Sequence, residues 1–369
     1  MTDRLSIPVL AAGVLLVIAG VSLAAFGGGS DRQARVSPSA GLTPGQLAGQ
    51  RMVAGFEGRK LPGELRKAIR RGRIGGVILF ADNLPDRAAA RRLTRRLQAI
   101  PRPGSLKRFP LLIMVDQEGG QVKRLPGAPA VSAASMGRRG PGFARRQGFL
   151  TGRNLRNVGI NMDLAPVLDV ARPGGDIFAT DRAFGTTVGR VERTAIPFAV
   201  GLESAGVAST AKHFPGLGTI RVNTDFAVLE VGLSRAALRR VDEAPYREFA
   251  KVGGDAVMVG TAIYPAFGRR PAAFNPRIVQ GELRDRIGFD GVTITDALGT
   301  VAATAFGGPK KTTVVGARVG MDLLLFGDLA FPLKGQRALR DRLVAGQLNR
   351  AAFRSSVDRV LNLRARLGR

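Results

Sequence analysis

The chain has 369 residues, 45% of them hydrophobic, which is enough for the core of one large domain and too apolar for a disordered polymer. It contains no cysteine and one histidine, which excludes disulfides, thiolate metal centres, a cysteine nucleophile, a lipid-modified N-terminal cysteine and histidine-rich metal sites. Lys and Arg number 56 against 28 Asp and Glu, a net charge of +28 that reads either as solvated faces of basic helices or as a field for anionic polymers and lipid headgroups. Nucleic acid is not an expected partner, because no nucleic-acid motif accompanies the arginines and the chain has no tryptophan and only two tyrosines for base stacking.

Residues 1–6 form a short tail, and residues 7–26 are twenty consecutive uncharged residues, long enough to cross a bilayer. This stretch reads as a transmembrane anchor or a signal peptide, with Ser22-Leu23-Ala24 resembling a small-residue cleavage site. The rest of the chain is then expected outside the cell membrane, tethered to it or secreted. Residues 27–41, rich in Gly and Ser, read as a linker to a single domain at 42–369.

From residue 52 onward, short apolar runs alternate with longer segments of helical period. The expected strands are 52–56, 76–80, 111–115, 161–167, 207–212, 256–260, 292–295 and 322–326. Basic amphipathic helices are expected at 86–100, 143–158, 196–205, 234–252, 276–287 and 312–319, and the basic segment 333–367 is helical. Eight alternations predict an α/β fold, a (β/α)8 TIM-like barrel.

Three strands run directly into charged residues: Asp116-Gln117-Glu118-Gly119-Gly120 after the third, Lys212-His213 at the end of the fifth, and Asp296 after the seventh. Parallel barrel strands point the same way, so residues just past their ends converge on one rim. Singly, Asp116 or Asp296 would suit a turn or a helix cap. Together with the Lys-His pair they outline a polar site.

The motifs Gly55-Phe56-Glu57-Gly58, Val115-Asp116-Gln117-Glu118-Gly119-Gly120 with Arg124, Met162-Asp163-Leu164-Ala165-Pro166-Val167-Leu168-Asp169, Arg182-Ala183-Phe184-Gly185, Lys212-His213-Phe214-Pro215-Gly216 and Gly288-Phe289-Asp290-Gly291 followed by Thr295-Asp296 occur in one order along residues 51–328. In these the chain resembles the N-terminal barrel domain of glycoside hydrolase family 3, closest to single-domain bacterial β-N-acetylhexosaminidases that trim cell-wall fragments. The resemblance implies that Asp296 is the nucleophile of a retaining glycosidase. It implies that Asp116, Arg124, Arg182, Lys212 and His213 hold an N-acetylglucosamine unit in a carbohydrate substrate. Neither a metal nor a nucleotide cofactor is expected, because the chain has no Gly-rich phosphate loop ending in Lys-Ser/Thr and no ligand cluster.

The sequence departs from that family on one loop. The hexosaminidase branch reads Lys-His-Phe-Pro-Gly-His-Gly, four residues, then Asp-Ser-His, where the last histidine is the general acid/base and the aspartate tunes it. Here Leu217 replaces the first loop histidine, Asn223 the aspartate and Asp225 the catalytic histidine. One expectation is that Asp225 is a substitute acid, with an Asn223 hydrogen bond working against it by favouring the carboxylate, and with Glu118 or another rim carboxylate as the fallback. The alternatives are a homologue that binds cell-wall sugars without cleaving them, or a basic barrel that binds an anionic polymer such as a cell-wall polymer.

Overall fold

The computed structural model describes residues 37–368. Its strands are β1 (Met52–Ala54), β2 (Gly76–Ile78), β3 (Leu112–Val115), the hairpin β4 (Gln117–Gly119) and β5 (Val122–Lys123), β6 (Met162–Asp163), β7 (Thr210–Phe214), β8 (Ala256–Val259), β9 (Val292–Thr295) and β10 (Leu324–Phe326). Each expected strand has an observed counterpart, although β6 shrinks to two residues and β7 lies toward the C-terminal side of its expected span. The hairpin was not anticipated: Gly119 and Gly120 take positive φ of 97° and 58°, which turns the chain back where only an acidic loop was expected.

The parallel strands pair in the order β10-β1-β2-β3-β6 and, separately, β7-β8-β9. Isolated parallel bridges link the sheets on both sides, Met162 with Ala208 and Val167 with Lys212 on one, Ile294 with Leu323 on the other. The ladders therefore form two sheets rather than the single continuous ring expected.

Alternation along the strands divides the core. Val53, Ile78, Leu112, Met114, Met162, Met258, Ile294 and Leu325 point into one inner cluster fed by both sheets. Their neighbours Ala54, Val77, Ile113, Val115, Val257, Val259, Leu324 and Phe326 pack against helices in the larger cluster. Burial on both faces explains why these strands are near-continuous Val, Ile, Leu and Met.

Expected helices appear with three adjustments. The segment 196–205 extends back to Val188, capped by Thr187, so that Val188–Ser204 carries Pro197 inside it. The segment 234–252 is interrupted: a wide turn at Leu238–Asp242 precedes Ala244–Lys251, which starts afresh on Pro245 because proline lacks the N–H that a continuing helix requires. The basic C-terminal segment becomes Ala330–Val344 and Arg350–Leu367, separated at Gly346 with φ of 69° and restarted by the Asn349 cap.

The last helix decides which end of the strands is free. Its Val360 and Leu363 enter the inner cluster. Its Arg364 donates to the carbonyls of Phe109 and Pro110 just before β3, and Arg359 pairs with Asp322 just before β10 at 2.7 Å. The N-terminal ends of the strands are thereby closed. Chemistry is left to the C-terminal ends.

Residues 1–36, which include the expected tail, the anchor or signal segment and most of the linker, lie outside the described residues. Among the described residues no helix is long and apolar enough to cross a membrane.

Candidate active site

Asp116, Arg124, Arg182, Lys212, His213, Asn223, Asp225 and Asp296 line one pocket, with Leu217 in its wall. Asp116 follows β3, Lys212 and His213 belong to β7, and Asp296 follows β9. Adjacent residues of a regular strand face opposite ways, yet both Lys212 and His213 reach the pocket. The pairing register of β7 with β8 shifts between Ala211 and Phe214, and such an irregularity re-aims side chains.

A charged lattice forms the floor. Lys212 Nζ lies 2.6 Å from Asp116 Oδ1 and 2.7 Å from Glu118 Oε1. Arg182 grips Glu118 with both arms of its guanidinium, Nε to Oε2 and Nη2 to Oε1, each at 2.8 Å. Burial alone would raise the Glu118 carboxyl, but Lys212 and Arg182 outweigh it and hold the group well below the usual carboxylate range. Burial likewise works against the Lys212 ammonium, and Asp116 and Glu118 raise its pKa regardless. Glu118 is therefore locked as an anion, which removes it as the fallback acid.

Behind this lattice, His213 Nδ1 lies 2.7 Å from Asp169 Oδ2, and the other oxygen of Asp169 accepts the Leu217 N–H at 2.7 Å. The carboxylate fixes the proton on Nδ1, so Nε2 faces Arg182 Nη2 at 3.5 Å. Asp169 did not stand out in the sequence as a site residue, although an aspartate ending the apolar run Val167-Leu168 was a usable signal. Asp163 lies deeper still: its Oδ1 accepts the Gln117 N–H at 2.9 Å, its Oδ2 has no partner among the described residues, and burial pushes its pKa up to about 8.

The altered loop has a fixed half and an open half. Gly216 O accepts the buried Tyr264 hydroxyl at 2.7 Å, and Gly218 passes so close to Val170 that an added Cβ would lie 2.0 Å from its carbonyl oxygen. Beyond it, Val222, Phe226 and Val228 are exposed. Asp225 is held by its backbone, its carbonyl accepting from Val301 N at 3.1 Å. Asn223 accepts the Asp225 backbone N–H through its side-chain oxygen at 2.9 Å, a local turn that leaves the Asp225 carboxylate alone. The expected opposition from Asn223 is thus corrected. The Asp225 carboxyl keeps an exposed edge, yet its pKa is raised, first by desolvation at the pocket, then by the Asp296 carboxylate, with His213 opposing.

The arrangement offers two carboxylates, Asp225 and Asp296, at one pocket, beside a cluster of fixed donors and acceptors. Arg124 adds to the donors, its buried Nε lacking a partner among the described residues. No group of three or more metal-ligating side chains occurs among the described residues.

The model of the glycosyl hydrolase family 3 N-terminal domain matches residues 45–363. A secreted glycosyl hydrolase of Arthroderma benhamiae is 33% identical over 341 residues, covering 90% of this chain and 96% of its own. A beta-hexosaminidase of Alkalilimnicola ehrlichii is 34% identical over 285 residues, covering 74% of this chain and 79% of its own. Among solved structures, a family 3 beta-N-acetylglucosaminidase from Paenibacillus superposes with a TM-score of 0.83 at 34% identity over 88% of this chain, which spans 63% of that longer protein. With the family model matched over most of its length, this chain belongs to glycosyl hydrolase family 3.

Proposed function

We propose that this protein is a retaining β-N-acetylhexosaminidase-like glycoside hydrolase acting on N-acetylglucosamine-containing cell-wall fragments, with Asp296 as nucleophile and Asp225 as acid/base. The observation that carries the reading is that Asp225 and Asp296 line the same pocket, where desolvation first and the charge of Asp296 second help Asp225 keep its proton. In the first step Asp296 attacks the anomeric carbon while Asp225 gives its proton to the departing oxygen. The resulting glycosyl ester is uncharged at Asp296. That removes one cause of the raised Asp225 pKa, so the Asp225 carboxylate is then suited to take a proton from the water that attacks the ester and frees Asp296. One electrostatic contact thereby favours the acid in one half of the cycle and the base in the other.

In this reading Asp116, Arg124, Arg182, Lys212 and His213 bind the sugar hydroxyls and N-acetyl group. The charge pairs that hold Asp116, Arg182, Lys212 and His213 supply fixed donors and acceptors for a polyhydroxylated ring. We read the eight parallel strands as a (β/α)8 barrel, a reading supported by the three isolated bridges between the two sheets. Residues 7–26 export the domain at 42–369 and either anchor it to the membrane or are cleaved, in keeping with the secreted relative.

A second reading, a sugar binder without turnover, draws on Leu217, Asn223 and Asp225 standing where the hexosaminidase branch carries His, Asp and His. One experiment separates the two: hydrolysis of a nitrophenyl β-N-acetylglucosaminide by the full chain beside Asp296→Ala. Turnover lost in the variant supports the hydrolase, and binding of N-acetylglucosamine without turnover by either protein supports the binder.

A further inference from the structure

Among the described residues, cations such as Arg92, Arg95 and Arg96 stand on an exposed helix face, here that of Arg87–Gln98. Two adjoining clefts are different. The first, between Pro309–Arg318 and Ala330–Val344, has Val314, Val315 and Ala338 in its lining and Lys310, Lys334, Arg337 and Arg342 around it. The second, between Gly63–Arg70 and Ala330–Val344, is lined by Lys67, Arg71, Arg73 and again Arg337. Because Arg337 belongs to both, the clefts join into one basic band.

Compensating acids are nearly missing from it. The first cleft contains Asp341, already paired with Arg340 at 2.6 Å, and the second contains Glu64. Neither Arg337, Lys310, Lys334 nor Lys67 has an ion-pair partner among the described residues. By contrast, the cleft under the last helix satisfies its cations, Arg359 with Asp322 and Arg366 with Asp255. A concave surface that keeps many like charges together with few counter-charges is electrostatically unfavourable by itself and becomes favourable when an anion occupies it.

We propose that this band is a binding site for a linear polyanion other than nucleic acid, a polymer without bases that carries a phosphate or carboxylate on each repeat, lying through both clefts across Arg337. The shape favours a strand over a flat membrane. Of the exposed large hydrophobic residues, only Val344 comes from the three helices that build the band, so nothing there is equipped to enter a bilayer. Phe306 and Phe331 beside it lie under Lys311 and Lys334, at 4.5 and 5.8 Å, and offer no free ring for stacking bases. Each exposed contact is weak, but a repeating chain adds many of them. The site gives a definite address to the attraction implied by the net charge, and it does not depend on the chemistry of the pocket.

The test measures binding of end-labelled long-chain polyphosphate and of polygalacturonate to the full chain by fluorescence anisotropy. Lys310→Glu/Lys334→Glu/Arg337→Glu is compared with Arg92→Glu/Arg95→Glu/Arg96→Glu, which changes the net charge equally. The band variant should bind at least one polymer about tenfold more weakly, with the control variant within about threefold of wild type. Raising the salt should narrow the gap between the two. Thermal melts check that both fold, and Arg337→Gln, a mild change, should give about a threefold loss if the triple variant does not. Equal losses in both triple variants, no binding of either polymer by wild type at low salt, or tighter binding to anionic vesicles or an oligonucleotide than to both polymers would each overturn the proposal. Hydrolysis of the neutral nitrophenyl glycoside is followed in parallel. A failure there counts against the pocket reading alone.

Discussion

Leu217 gives its backbone N–H to Asp169 Oδ1 at 2.7 Å, while the other oxygen of Asp169 holds His213 Nδ1. The contact uses the main chain, so changing the side chain at 217 leaves the His213 anchor in place. Asp169→Asn should weaken both bonds, since the amide offers one acceptor where two are used. Hydrogen bonds to a charged group contribute about 1.5–3 kcal/mol, so KM should rise about tenfold to a hundredfold with a smaller fall in kcat. Steady-state kinetics check this, and an unchanged KM would show that His213 does not need the carboxylate.

Asp296→Ala should reduce turnover to background while sugar binding persists, because no other group on the rim replaces the nucleophile in forming the glycosyl ester. Calorimetry with N-acetylglucosamine beside the rate assay checks both halves. Retained turnover would reassign the nucleophile.

For Asp225, the leaving group is the informative variable. Asp225→Asn should lower kcat/KM by about two to four orders of magnitude for substrates with poor leaving groups and spare kcat/KM for nitrophenyl glycosides, which need little protonation, while kcat falls for both because the base of the second step is lost. Activity of the wild type on poor leaving groups should fall as pH rises through the raised Asp225 pKa, since the acid must hold its proton. Restoring the family pair with Asn223→Asp and Asp225→His should move that alkaline limb. Equal rates of wild type and Asp225→Asn on a poor leaving group would remove Asp225 from the acid role.

Asp163 predicts a stability effect of known sign. Its pKa rises from 3.8 to about 8 on folding, so between those values the folded chain holds a proton that the unfolded chain has released. Stability from this group is highest below pH 3.8, declines as pH rises, and levels off above about 8. Asp163→Asn, which cannot ionise and keeps an acceptor for the Gln117 N–H, should flatten that dependence. Its melting temperature relative to wild type should climb between pH 5 and pH 8, and a constant difference would refute the assignment.

The parallel strands and the charged residues at their ends were legible in the sequence. Runs such as Val292–Thr295 and Leu112–Val115 are apolar because both faces are buried, and that requirement is visible locally as a short uninterrupted stretch. Lys212, His213 and Asp296 were legible because they terminate such runs. The partners were not. Glu118 meets Arg182 across 64 positions of chain and His213 meets Asp169 across 44, and no periodicity records which distant loops a fold brings together. Likewise the sequence marked Asn223 and Asp225 as altered, but only the tertiary structure turned the Asn223 oxygen toward a backbone N–H and placed Asp225 in the field of Asp296. Proton affinity is the reason this could not be read from the chain: it is set by desolvation and by charges through space, and both exist only once the strands have gathered their ends around one pocket.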